Sequence, residues 1–389
     1  MHFHPCGMAR RNFLKAAGTA AVGMSVGAPF GGVVLGETPA PKGPASADVG
    51  IGRGSNMEEA VNRAVKLAGG LGFIKENQTV LIKPNVTGAL KSPTTTNPEV
   101  LYAVIKLVAD RGPKRIIVAD RSFSPIFKVT TPKTVDVMKA VGHIDAVNQA
   151  IKDVKAPVVA VGLEDAAQEL EMLGKPKNTP MWRRIKPEKA TNWPSGFELA
   201  ELLFAVDHVI NVPVIKTHFQ AWFTMSMKAF VGMSHHDTRK EFHSYYGFND
   251  LSDQKRTRRR GIKKDPDEEA REVTPLVSRI AELNLGIRPA MNILDGSKCF
   301  VFGGPSNGDM AEPKVAVASV DRIAADATGV AVLKAQGCEE RLQKRSVWKT
   351  PFLKHGIDIG LGIDSVDKLK LKADGVPEAD LDTIKKMLV

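Results

Sequence analysis

Apolar residues recur along this chain with two distinct periods. Met57, Val61, Ala64, Val65 and Ala68 fall at helical spacing between Ser55 and Gly70, with Gly69-Gly70 as a stop, and predict a helix. Continuous apolar, β-branched runs then appear at 79–82, 115–119, 157–161, 207–215, 290–294 and 314–319, and read as buried strands. Helical patterns lie between them. Asn97-Pro98-Glu99 opens one that runs to about Arg111, by cap, first-turn proline and acidic first turn. Others are expected at 131–141, 198–206, 267–285, 321–334 and 379–388, and a helical turn or two at 225–232. Strand, helix and strand in alternation define βαβ units. The fold class is therefore α/β, with a mostly parallel or mixed central sheet flanked by helices.

The pattern weakens in three places. Residues 1–40 read as a leader and linker, separate from a single large α/β domain over 50–389. Within it, Pro176, Pro180, Pro187 and Pro194 with Trp182 and Trp193 mark an irregular excursion over 164–195, packing over the core. Residues 235–267 read as a basic insertion, solvated over 251–267, which contains Lys255-Arg256-Thr257-Arg258-Arg259-Arg260.

Polar residues gather where the predicted strands end. Lys83 and Asn85 follow the first, Asp120 the second, Lys216, Thr217 and His218 the run 207–215, and Asp295 the run 290–294. In parallel α/β sheets, ligands bind at such carboxyl ends. Lys83, Lys216 and Lys228, with Asn85, Thr95, Thr217 and the hydroxyls of Thr94 and Thr96, form a cradle suited to a small carboxylate or phosphate. Within it His218 could transfer a proton, Lys216 stabilise an oxyanion, and Asp295 or Asp120 orient His218 or a water. Asp120 could equally cap a helix or pair with Arg121. The same cradle would serve a non-catalytic protein that binds an anion or a cofactor.

Composition narrows the partners. Hydrophobic residues make 43% of the 389 and charged residues 25%, which supports a packed interior. The net charge of +11 would attract nucleic acid, anionic lipid or anionic small molecules. The longest basic run has no interleaved aromatics, so nucleic acid is not favoured over a small anionic ligand. His218, His235, His236 and His243, with Asp237 beside them, are the metal-like set, fit for zinc or a transition metal in a redox or hydrolytic enzyme, although their spacing matches no metallohydrolase motif. Cys299 and Cys338 could pair or stay as thiols, and with no CxxC they support no self-contained iron–sulfur cluster. Phe302-Gly303-Gly304-Pro305-Ser306-Asn307-Gly308 is a glycine-containing loop but no P-loop, and there is no nucleophile-elbow motif.

Two resemblances add to this reading. Lys83-Pro84-Asn85, Asn97-Pro98-Glu99-Val100, the run from Asp207 to His218, Met227-Lys228-Ala229-Phe230-Val231-Gly232, Asn292-Ile293-Leu294-Asp295-Gly296 and Asp321-Arg322-Ile323-Ala324-Ala325-Asp326 together resemble domain-of-unknown-function family 362, over roughly residues 78–335. The resemblance implies a fold and puts Lys83, Asn85, Lys216, Thr217, His218, Lys228 and Asp295 at its polar motif positions, without naming a reaction. Arg10-Arg11-Asn12-Phe13-Leu14-Lys15, ahead of the mildly apolar stretch 16–30, resembles a twin-arginine export signal. That implies the twin-arginine machinery as a partner and a periplasmic or secreted destination. The apolar stretch is too short and glycine-rich for a permanent membrane anchor.

Overall fold

The computed structural model describes residues 44–123, 133–243 and 275–389. They belong to one compact unit, Ala40–Val389. The twin-arginine reading, most of the basic insertion and the Lys255–Arg260 run lie outside the described residues. Among the described residues no helix is long and apolar enough to cross a membrane.

Fourteen strands are described. In chain order they are β1 (Ala47–Arg53), β2 (Thr79–Pro84), β3 (Arg115–Asp120), β4 (Val158–Gly162), β5 (Trp182–Ile185), β6 (Phe197–Ala200), β7 (His208–Val212), β8 (Lys216–His218), β9 (Trp222–Thr224), β10 (Met291–Gly296), β11 (Cys299–Gly303), β12 (Gly308–Ala311), β13 (Val315–Ser319) and β14 (Leu369–Asp374). Eight of them build the central sheet, in the order β14-β1-β13-β10-β7-β2-β3-β4. β13 pairs antiparallel with both β1 and β10, and every other pairing in the sheet is parallel. The sheet is thus mixed and mostly parallel, as the alternation of elements predicts.

Period-two alternation puts successive side chains on opposite faces, and both faces are covered. Val80, Ile82, Ile116, Val118, Ile210 and Val212 pack beneath the helices Met57–Leu67, Pro98–Ala109 and His143–Val154. Leu81, Ile117, Val209, Leu294 and Val317 face the helices Pro275–Leu283, Arg322–Ala335 and Pro351–Asp358. Burial on both faces explains why the strand sequences read as continuous apolar runs.

Several expectations need correction. Proline does not end the first run before the sheet does: Lys83 and Pro84 are still in β2, where Pro84 registers with Val212. The predicted helix over 198–206 is strand β6 followed by the short 3-10 turn Glu201–Phe204. The segment assigned to the basic insertion begins with the helix His236–His243, whose Thr238 and Arg239 are buried. Two outer strands went unpredicted. β1 carries Gly50 and Gly52, which weaken a strand pattern, yet a Cβ at either would overlap the carbonyl oxygens of Ala64 and Ala60 in the helix lying on it. β14 alternates between half-buried and exposed residues and pairs with β1 in parallel, so the domain begins before residue 50.

Candidate functional site

The chain from β2 continues to β3 on one side, whereas β7 leads towards β10 on the other. The carboxyl ends of β2 and β7 therefore flank a topological switch point, the place where open α/β sheets form a ligand crevice. Both halves of the expected cradle start there.

The first half is buried and internally paired. Lys83 is fully buried, with Nζ 2.6 Å from the Pro84 carbonyl oxygen and 3.1 Å from Asp120 Oδ1. Burial pushes its pKa down, and Asp120 opposes that shift. Asp120 Oδ2 accepts from the Val86 backbone N–H at 2.7 Å. Asp120 thus pairs with Lys83 and not with Arg121, a choice the order of residues in the chain left open. Asn85 is buried, and its backbone exchanges hydrogen bonds with Thr96 while its side-chain amide has no partner among the described residues.

The Thr94–Asn97 loop ties the halves together. Thr95 Oγ1 donates to the Leu90 carbonyl and Thr96 Oγ1 to the Val212 carbonyl, so these hydroxyls are occupied. Asp295 accepts from the backbone N–H of Asn97 at 2.7 Å and from that of Ser297 at 2.9 Å. Its carboxylate orders two backbone segments; burial raises its pKa and those two amides counter the rise. Among the described residues no hydrogen bond joins Asp295 to His218. The expected orienting role is replaced by one in building the loop.

On β8, Lys216 is fully buried and donates to the carbonyls of Thr94 at 2.6 Å and Pro305 at 3.0 Å. The glycine-containing 302–308 segment, the β11–β12 connection, therefore contributes a carbonyl to the site, through Pro305. A Cβ at Gly304 would overlap the Thr217 carbonyl, so this close approach needs glycine. Burial, with Lys228 as the next cause, lowers the Lys216 pKa to about 7. Thr217 Oγ1 donates to the Phe300 carbonyl at 3.0 Å, which makes it a fastening between hairpins.

His218 departs most from its expected role. Its Nδ1 accepts from the backbone N–H groups of Gln220 and Ala221, both at 3.2 Å, and its own carbonyl accepts from Arg341. A ring nitrogen that accepts two amides carries no proton, so the neutral tautomer bears its proton on Nε2.

Lys228 lies on the short helix Ser226–Ala229, which Asp326 holds from the helix Arg322–Ala335 by accepting from the N–H groups of Ser226 and Met227. Burial pushes Asp326 up to about 7. Lys228 is half-buried, and its pKa is lowered to about 8 by burial and then by Arg239. Among the described residues its ammonium has neither a hydrogen-bond acceptor nor a carboxylate within ion-pair distance.

Arg239 and His143 carried no sequence signal for this site. Arg239 is buried and reaches the carbonyls of Ser122, Arg121 and Gly232. A single arginine within a basic stretch reads as solvated. His143 Nε2 lies 2.7 Å from the Thr96 carbonyl and so supports the loop from behind.

Among the described residues the histidine metal set is not assembled. His235 packs edge-on against Trp182 with Nδ1 3.2 Å from Glu198, and His236 pairs with Asp237. His218 instead caps its own turn, and the side chain of His243 lies outside the described atoms. Among the described residues no three His, Cys, Asp or Glu side chains are placed to hold a metal ion. His235 precedes the helix His236–His243, and the two rings meet edge-on with centroids 6.2 Å apart rather than converging on a common point. Cys299 and Cys338 are both free thiols, and burial raises their pKa values, for Cys338 to about 12.

Fold and site define an α/β protein with buried and half-buried cations gathered near its switch point. A family model described as domain of unknown function (DUF362) matches residues 80–331, and the chain belongs to that family. Among solved structures it is similar to a structural-genomics target from Thermotoga maritima, at 14% identity and a TM-score of 0.36, covering 62% of this chain and 51% of that one. The chain thus spans about half the length of the Thermotoga protein. It is also similar to the lactate racemase apoprotein from Thermoanaerobacterium thermosaccharolyticum, at 12% identity and a TM-score of 0.36, covering 86% of this chain and 85% of that one. No curated protein matches the chain.

Proposed function

We propose that this protein is an enzyme that binds a small anion, a carboxylate or phosphate, over Lys228 and moves a proton with Lys216. The observation that carries the reading is the Lys228 ammonium, half-buried among Lys216 and Arg239 with no acceptor among the described residues. A partly desolvated charge without a counter-charge is costly, and a bound anion would reduce that cost.

Lys216 supplies the chemistry. A pKa of about 7 leaves it divided between ammonium and amine near neutrality. In the amine form its two N–H groups match the two carbonyls of Thr94 and Pro305, and the lone pair takes the remaining direction. That is a general base held by its own hydrogen bonds. As ammonium it returns the proton or stabilises an oxyanion. His218, neutral with its proton on Nε2, fits a donor rather than a base.

Isothermal titration with inorganic phosphate and with acetate tests the binding step. Lys228→Met is expected to weaken both by about tenfold or more, as loss of a charge-assisted hydrogen bond implies. Unchanged affinity would overturn the reading. Once a substrate is found, Lys216→Met should retain binding and lose turnover.

Export is proposed on the Arg10-Arg11 motif alone. Cell fractionation of the full chain against an Arg10→Lys, Arg11→Lys variant tests it, and equal export of both would reject it.

A further inference from the structure

Arg121 stands at the exit of β3, directly after Asp120. Among the described residues none of its guanidinium nitrogens has a hydrogen-bond acceptor, and Nε and Nη1 are shut off from solvent. A guanidinium brings five N–H donors in a fixed fork, so this is a large unmet demand. One face of the group lies against Trp182, with the ring centroid 5.5 Å from Cζ. Trp182 belongs to β5 of the 164–195 excursion and also packs edge-on against His235.

The carboxylates around Arg121 are committed elsewhere. Glu164 accepts from the backbone N–H and hydroxyl of Thr134. Asp237 is exposed and pairs with His236. Neither comes within ion-pair distance of Arg121. Arg239 links this place to the site already described: it donates to the carbonyls of Arg121, Ser122 and Gly232. Gly232 in turn lies against Asp120 and Lys83. Buried and half-buried cations thus run from Lys216 through Lys228 and Arg239 to Arg121.

We infer that Arg121, backed by Trp182 and Arg239, is a second anion subsite, and that the ligand of this crevice carries two anionic groups, one for Lys228 and one for the Arg121 fork. The inference rests on the reading that Lys228 binds an anion. It narrows the ligand from any small anion to a dianion, with a carboxylate suited to the planar fork of Arg121. A monoanion on Lys228 would leave the Arg121 donors unmet.

The test is titration calorimetry of the full chain with acetate, propionate and butyrate against malonate, succinate and glutarate. The best dicarboxylate is expected to bind about tenfold or more tightly than the monocarboxylate of equal length, the gain of a charge-assisted contact. Arg121→Gln should abolish that advantage, and Arg121→Lys, which keeps charge and loses the fork, should retain only part of it. Thermal unfolding of both variants reports whether they fold, and Arg121→Lys carries the comparison if Arg121→Gln does not. Equal binding of mono- and dicarboxylates by the native chain, or an advantage that survives in both variants, overturns the second subsite while the Lys228 reading stands. No binding of any of these anions, phosphate included, overturns the Lys228 reading and the subsite with it.

Discussion

Lys83 Nζ and Asp120 Oδ1 stand 3.1 Å apart across the ends of β2 and β3, with both side chains almost wholly removed from water. Removing one partner of such a pair leaves an uncompensated buried charge, which costs about 3–5 kcal/mol. Asp120→Asn is therefore expected to destabilise the fold by that order. Lys83→Met combined with Asp120→Asn should cost less than Asp120→Asn alone, since no orphan charge remains. Urea unfolding of Asp120→Asn, Lys83→Met and the double variant against the native chain measures the coupling. Additive losses would mean that the pair contributes nothing as a pair.

Gly232 makes this pair possible. A Cβ there would overlap Asp120 Oδ1 and stand 2.9 Å from Lys83 Nζ, and its carbonyl already accepts from Arg239. Gly232→Ala is expected to cost about 1–3 kcal/mol, as overpacking does, because a buried ion pair must shift to admit the methyl. Equilibrium unfolding in urea checks the size. Stability unchanged within about 0.5 kcal/mol would show that the pair yields without strain.

How far the sequence reveals this site follows from what each residue bonds to. Lys83, Asp120, Lys216 and Asp295 were legible as residues at predicted strand ends, which in a parallel sheet share one edge, and Lys228 as part of the helical turn that follows. Their bonds were not legible. Asp120 had Arg121 as a sequence neighbour, but its partner, Lys83, comes from an adjacent strand. Asp295 looked catalytic, yet its oxygens serve two backbone N–H groups, and His218 likewise caps its own turn. Arg239 was invisible because a charge run gives no sign of which member turns inward. In the fold, the buried strands announced themselves, whereas β1 and β14 did not: close packing demanded glycine in one, and exposure thinned the apolar pattern of the other.

The lowered pKa of Lys216 gives a signed dependence on pH. Between about 7, its value in the fold, and the ordinary 10.5, the unfolded chain holds a proton there that the folded chain has released. Its contribution to stability therefore rises with pH across that window and is least below pH 7. The stability of the native chain minus that of Lys216→Met should increase from pH 7 towards 10. Urea unfolding at several pH values measures it, and a flat difference would place the Lys216 pKa near its ordinary value.

Anion binding should run the other way. An anion on Lys228 favours its charged form, so binding draws in protons, and affinity should fall as pH rises through about 8, the pKa of Lys228. Calorimetry with phosphate in buffers of different ionisation enthalpy counts the protons taken up, once corrected for the titration of phosphate itself. No net uptake near pH 8 would mean that the anion does not sit on this lysine.

Asp326 holds Lys228 from a distance of sequence but not of space. Its two oxygens accept from the backbone N–H groups of Ser226 and Met227, at 2.6 and 3.1 Å, and so fix the first turn of the helix that carries Lys228. Asp326→Ala strands two buried donors, at about 1–3 kcal/mol each. Asp326→Asn keeps one good acceptor and should cost less. Because burial raises the Asp326 pKa to about 7, the fold binds a proton there between the ordinary 3.8 and 7 that the unfolded chain lacks. The stability contributed by this group therefore falls as pH rises through that window, and Asp326→Asn should flatten the fall. Both variants should also weaken phosphate binding, since the turn that aims Lys228 is loosened. Phosphate affinity equal to that of the native chain in a folded Asp326→Ala protein would show that Lys228 is positioned without this cap.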